Sequence, residues 1–505
     1  MKTLWTDGSI FTMHADGDMV EAVLVEDGKI IQIGTKEHLL PLADKVQSLK
    51  GAAMYPGFVD SHIHLIGHGE KLAYLDLSSF TSIKKIVQEV SSRVSPNKWY
   101  VTEGWNDNKL VEGRPITCHD LVSIEETPIV LKRICRHVLV ANTKAMELAG
   151  VTKDTPNPPG GLIGRDERGN LNGLFYDEAQ PLITAHIPPV SSEYIKEIII
   201  SSVKDLQTKG LTGVHTEDMA YYGAYRVPLQ AYREAINDNF RVHILRHHEA
   251  FEEMQGEKSS PFIEFGAMKI FVDGSLGGHT ALLSEGYSDT PNMKGVAVHE
   301  SEKLKDLIKL ARKYNENIAV HVIGDKATEI ILDLIERYPA PSGKKDRLIH
   351  VNVLRSDLVK RMQKLPLVLD IQPIFVPSDF PWVIERLGKD RLTWAYAWKS
   401  LLHAGFECSG GSDSPIELAD PLLGMNAAVN NSYLPEQAIT VFEAISLFTT
   451  GSAKAIGKED VRGKIRSGFD ADFTIVDQVL TPDTFVTAKV IKTIVSGEII
   501  FGIDE

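Results

Sequence analysis

Pro56-Gly57-Phe58-Val59-Asp60-Ser61-His62-Ile63-His64 reads as an apolar strand that ends in a polar pair. In extended chain, residues two apart point to the same side, so His62 and His64 present both imidazoles to one point just past the strand's end. Paired neutral imidazoles suit zinc and neighbouring transition metals. A bare His-x-His is weak evidence in a chain with 17 His. Its position at the C-terminal edge of a buried-looking strand makes it stronger.

Outward from this segment, short runs rich in branched residues alternate with helical patterns, which points to parallel strands with crossover helices. Eight such strands are expected: 53–60, 212–215, 241–247, 267–272, 318–322, 347–350, 367–371 and 406–410. Eight is the number that closes a (β/α)8 TIM barrel. The stretches 192–208 and 302–314 carry apolar residues at helical spacing and read as helices that cover the barrel.

Both chain ends are β-rich. The run 22–34 is two apolar segments around Asp27-Gly28, a hairpin signal, and 471–477 with 490–500 repeat the style. The ends are expected to form one small β-sandwich domain from 1–52 and 457–505, with the barrel over 53–456. The interval from about 66 to 189 fits no single βα step and is expected to be an inserted subdomain after the first barrel strand.

Composition narrows the function. At 505 residues the chain has room for a large catalytic domain and accessory units. The net charge of −14 argues against a nucleic-acid surface. No apolar stretch approaches the length of roughly 18 residues that a membrane span needs, and no secretion signal is evident at the N-terminus. Three scattered cysteines form no metal ribbon or disulfide framework. A cytoplasmic enzyme with a small-molecule substrate is the expectation, and pairing into a homodimer is expected by analogy with other barrel enzymes.

Further polar residues fall where strands should be apolar. His321 and His350 end two strands, and Asp413 follows the last in Gly410-Gly411-Ser412-Asp413, where small residues let backbone and ligand come close. Each alone is more often a core residue than a ligand. Their recurrence in barrel order reverses that balance. Lys269, inside Met268-Lys269-Ile270-Phe271-Val272-Asp273, places an amine in an apolar strand, where desolvation depresses a lysine's pKa by up to about 3–5 units. A neutral amine can react with carbon dioxide to give an anionic, metal-bridging carbamate. The same lysine could instead pair with Asp273 or extend to the barrel rim.

The order of these residues, and the wording PGFVDSHIH, KIFVDGSLGG, AVHVIGDKA, LIHV and GGSDSPI, resembles the amidohydrolase superfamily. Within it the chain looks like the YtcJ-like branch, which includes N-substituted formamide deformylase. The resemblance implies that His62, His64 and Asp413 hold one divalent metal, with zinc the first expectation, and that His321 and His350 hold a second. It also implies a carbamate on Lys269 between them and Asp413 as proton shuttle. Some relatives keep one metal, so one or two ions per chain are expected. The implied reaction is hydrolysis of an amide, N-acyl or N-formyl C–N bond. A mononuclear deaminase of a ring amidine and a non-enzymatic scaffold on a hydrolase fold are the alternatives. Two departures from the family wording, His279 and Cys135-Arg136-His137, leave the metal ligands untouched but bear on the pocket. Trp105, His137, His215, Asp273 and Gln372 are the candidates for substrate contact.

Overall fold

The structure is a computed structural model that describes residues 1–503 apart from 97, 134–137, 160 and 189. Eight parallel strands form one sheet in chain order: β1 (Phe58–Ile63), β2 (Leu211–Thr216), β3 (Arg241–His247), β4 (Ile263–Phe271), β5 (Ile318–Val322), β6 (Asp346–His350), β7 (Leu367–Ile371) and β8 (Glu407–Gly410). Each expected strand has its counterpart. The barrel is nearly closed. Between β8 and β1 the joint is made past the strand ends: Asp413 N–H donates to the His62 carbonyl at 2.7 Å, and Ser412 N–H donates to the Asp60 carboxylate at 3.1 Å.

The first strand differs from expectation. What reads as one strand over 53–60 is broken at Gly57. Ala53–Pro56 joins the sheet of the chain ends, and β1 begins at Phe58. The physical reason is a close approach: a Cβ on Gly57 would sit 2.4 Å from Thr212 Oγ1, while Gly57 N–H donates to the Asp472 carbonyl at 2.8 Å. Only glycine lets the chain pass from one sheet to the other here.

Five strands from the N-terminal end and three from the C-terminal end make the second eight-stranded sheet. Asp27 and Gly28 both have positive φ, 50° and 74°, as a two-residue hairpin requires. Ile30 and Ile494 lie near opposite edges of this sheet yet share one core with Trp5, Met54 and Phe473, so the sheet folds back on itself in the manner of a sandwich. Because Ala53–Pro56 is one of its strands, it extends to residue 56 rather than stopping at 52.

The chain divides into two compact units, Met1–His68 with Ser192–Glu505, and Gly69–Ser191. The second unit has its own five-stranded sheet, in the order Gly161–Arg165, Leu171–Asp177, Val138–Ala141, Ile129–Arg133 and Tyr100–Trp105. Leu77, Ile86, Leu131 and Val140 belong to its core. Among the described residues no helix is long and apolar enough to cross a membrane.

Candidate metal centre

The barrel interior is apolar one layer below the strand ends, where Leu245, Ala267, Ala319 and Ile349 pack together. Two residues further along β4 and β5, on the same face, come Lys269 and His321. Strand alternation would turn His350 away from the side that Ile349 faces. Its backbone leaves strand geometry at φ 79°, and its ring lies 4.5 Å from His321 and 5.5 Å from His62, centroid to centroid.

His62, His64 and Asp413 have ligand atoms that all lie within 4.8 Å of one another, and among the described residues they are the one such group. Asp413 Oδ1 is 3.3 Å from His62 Nε2 and 3.5 Å from His64 Nε2. Lys269 Nζ is 3.3 Å from His62 Nε2, and it neither pairs with Asp273 nor reaches the rim. Lys269 is 0% exposed, and burial brings its pKa down to about 8 despite the nearby Glu217 and Asp413 carboxylates.

Three histidines have their tautomers set by a second partner, as metal-binding histidines usually do. His64 Nδ1 donates to the Glu217 carbonyl at 2.7 Å, which turns Nε2 toward Asp413. His350 Nδ1 donates to Gln372 Oε1 at 2.8 Å, and its buried Nε2 has no partner. His321 Nε2 donates to the Gly274 carbonyl at 3.2 Å, freeing Nδ1. Free imidazole lone pairs with a carboxylate between them are the donor set of a divalent transition metal.

The electrostatics agree. Burial and the Lys269 charge push His62 well below the usual histidine range, and burial takes His350 down to about 4, so both rings are neutral donors. His64 goes the other way: burial opposes its charge, but Asp413, Glu217 and Asp218 together raise it to about 9. Burial works against the Asp413 carboxylate, yet the hydrogen bond from His64 and the charges around it keep its pKa below the ordinary value. The carboxylates of Asp413, Glu217 and Asp218 thus favour positive charge at His64, while burial keeps its neighbours His62 and His350 neutral.

The expected substrate contacts fare differently. Gln372 supports His350, as above. Asp273 accepts from Leu282 N–H (2.8 Å), Ile323 N–H (3.0 Å) and Gly324 N–H (2.8 Å), which ties the loops after β4 and β5 together. Its carboxylate is thus occupied by backbone. His215 accepts from Arg347 Nη2 at 3.4 Å, packs on His243, and lines a cavity with Arg241, Glu264 and Asp472 near the N-terminal ends of the strands. It therefore belongs to the barrel's lower interior. Trp105 is 1% exposed in the core of the second unit and donates Nε1–H to the Leu131 carbonyl at 2.9 Å. The expectation of a pocket-lining indole is corrected: its apolar faces and its one donor are all used in packing. His137 lies outside the described residues.

Sequence reasoning missed Glu217 and Tyr221. Glu217 is fully buried, its carbonyl orients His64, and its carboxylate accepts from Tyr221 OH at 2.6 Å. The Tyr221 ring stands edge-on to His64 at 5.9 Å. The available signal was the pair Glu217-Asp218 directly after β2, two acids at the end of a buried strand. Also missed was Arg347, whose guanidinium pairs with Asp370 and donates to the Ser61 carbonyl at 2.8 Å under the histidines.

A family model described as the amidohydrolase family matches residues 45–501. The chain belongs to the amidohydrolase family. YtcJ of Bacillus subtilis (strain 168), named as an amidohydrolase, is 47% identical, and the match covers 99% of each chain. N-substituted formamide deformylase of Arthrobacter pascens is 25% identical over 94% of this chain and 92% of that protein. Among solved structures, an uncharacterized metal-dependent hydrolase from Pyrococcus furiosus superposes with a TM-score of 0.83 at 29% identity, over 95% of this chain and 99% of that one. This amidohydrolase carries its histidines and Asp413 at the strand ends where barrel enzymes place their chemistry.

Proposed function

We propose that this amidohydrolase cleaves a C–N bond in a small amide, an N-acyl or N-formyl amine, at the His62–His64–Asp413 centre. The observation that carries the reading is the Asp413 carboxylate, 3.3 Å and 3.5 Å from two imidazole nitrogens. His62, His64 and Asp413 would hold one divalent ion, and zinc fits their nitrogen and carboxylate donors. His321 and His350 would hold a second. The neutral form of the Lys269 amine would react with carbon dioxide, forming a C–N bond and releasing a proton, to give an anionic carbamate that would serve as a further ligand. A divalent cation held there supplies hydroxide at neutral pH and polarises a carbonyl.

The chain's own groups do the rest. Asp413, ionised at neutral pH, accepts the proton that water loses as its oxygen bonds to the acyl carbon. It returns that proton to the nitrogen as the C–N bond breaks, which is general base followed by general acid. Gln372, Gly274 and the Glu217 carbonyl keep the ring nitrogens facing inward. The 25% identity to a formamide deformylase supports a formyl or short acyl group.

Asp413→Asn is expected to keep bound metal and lose turnover on a panel of N-formyl and N-acyl amines, read by amine release and elemental analysis. Undiminished turnover would remove Asp413 from the mechanism. A one-ion ring-amidine deaminase is the competing reading, favoured by the compact group that His62, His64 and Asp413 form among the described residues. Two ions per chain after growth with bicarbonate support the amide reading, whereas one ion with ammonia release from a ring amidine supports the other.

A further inference from the structure

A second chain of side chains reaches the Asp413 turn from outside the ligand cluster. Ser414, the next residue, is 1% exposed, and its Oγ lies 2.8 Å from His68 Nδ1. His68 Nε2 lies 3.2 Å from Asp205 Oδ2. A carboxylate only accepts, so Nε2–H donates to Asp205; in the neutral ring Nδ1 then holds the lone pair and the serine hydroxyl donates to it. Hydroxyl, imidazole and carboxylate in that order mark a nucleophile in many hydrolases. Ser414 is buried and its Oγ is taken up by His68, so the contacts of the triad lie within the fold.

What it acts on is a turn that needs holding. Asp413 has φ 56°, in the left-handed region that non-glycine residues seldom enter and keep only when their surroundings enforce it. Asp413 N–H donates to the His62 carbonyl at 2.7 Å, and the Ser414 carbonyl accepts from His64 N–H at 2.8 Å. Ser414 Oγ to His68 adds the side-chain restraint. His68 is itself fixed at both ends: its N–H donates to the His64 carbonyl at 2.8 Å in the first turn of α1 (Leu65–Ala73), and its ring meets Asp205 on α2 (Ser192–Thr208). Ser202 of α2 also donates to the Leu65 carbonyl at 2.7 Å, so this helix is clamped to that turn twice.

We propose that His68 is a positioning residue for Asp413. Through Ser414 it locks the turn that aims the Asp413 carboxylate between His62 and His64, and Asp205 fixes its tautomer. The inference rests on the reading of Asp413 as ligand and proton shuttle. It predicts that a loosened turn weakens both roles of Asp413 without unmaking the histidine cluster.

The test compares Ser414→Ala, His68→Ala, their double variant and His68→Asn, whose Oδ1 takes the place of Nδ1. Zinc-loaded protein is mixed with a chelator, and the release rate is read together with kcat and KM. Ser414→Ala and His68→Ala are each expected to speed zinc release by about tenfold, as loss of an outer partner of a ligand does, with kcat falling and KM held. The double variant should be no worse than the worse single one, and His68→Asn should restore most of the loss. Histidine 15N spectra should show His68 as the Nε2–H tautomer. Release rates at the wild-type value in both alanine variants, additive losses in the double variant, or an Nδ1–H tautomer would overturn the proposal. If His68→Ala does not fold, Ser414→Ala against His68→Asn decides it. Zinc release and the tautomer are read without substrate, so a wrong assignment of the reaction leaves this test intact.

Discussion

His64 donates its Nδ1 proton to the Glu217 carbonyl and turns Nε2 toward Asp413, so a second proton and a cation compete for one lone pair. With a pKa of about 9, the metal-free ring is charged at neutral pH. Binding a divalent ion at about pH 7 should therefore release close to one proton from His64, and above about pH 10 it should release none, because metal ligands must be deprotonated. Calorimetry in buffers of different ionisation enthalpy checks this, and a pH-independent proton count would contradict the charge state given to His64. The proposed ligand residues were legible as candidates in the sequence because a charged or polar side chain at a buried strand end stands out from an apolar run. The residues that orient them were not. Glu217 supports His64 through its backbone carbonyl, a group that every residue carries and no sequence pattern marks.

The seam between β8 and β1 is the element on which the centre depends. Asp60 accepts from His62 N–H at 3.0 Å and from Ser412 N–H, while Gly411 lies so close that a Cβ would meet His62 N at 2.6 Å and Asp60 Oδ1 at 2.9 Å. Gly411→Ala has to push the last loop away from the first strand, with an overpacking cost of about 1–3 kcal/mol. Zinc affinity in this variant should drop on the order of tenfold or more, measured by competition with a chelator. Wild-type affinity would mean that the seam gives way without moving the ligands. Strand positions were legible here because branched apolar runs bounded by turns have the right length. The break at Gly57 was not, since the close approach that calls for glycine there is to Thr212, far along the chain.

Across the full chain, the sheet of the two ends is fastened to the barrel by ion pairs at the N-terminal side of the strands. Arg241 on β3 meets Asp472 at 2.6 Å and Asp470 at 3.5 Å, and Arg462 meets Glu264 on β4 at 2.8 Å and Asp470 at 2.8 Å. The Arg241 side chain is 12% exposed, so deleting it leaves Asp472 poorly solvated, and such losses cost about 3–5 kcal/mol. Arg241→Met should lower stability to denaturant by that order with zinc stoichiometry unchanged. If metal were lost in parallel, the end sheet would be shaping the centre and not only bracing the barrel.

Residue order alone settled the alternation of strand and helix, and with it the barrel, because hydrophobic period and turn chemistry are local properties. It also set aside six polar side chains at strand ends as a group. Which nitrogen of each histidine faces inward, how His350 turns against the alternation of β6, and why Trp105 is spent on packing were decided by partners dozens to hundreds of residues away. Those are contacts between distant segments, and they exist only once the chain has closed on itself.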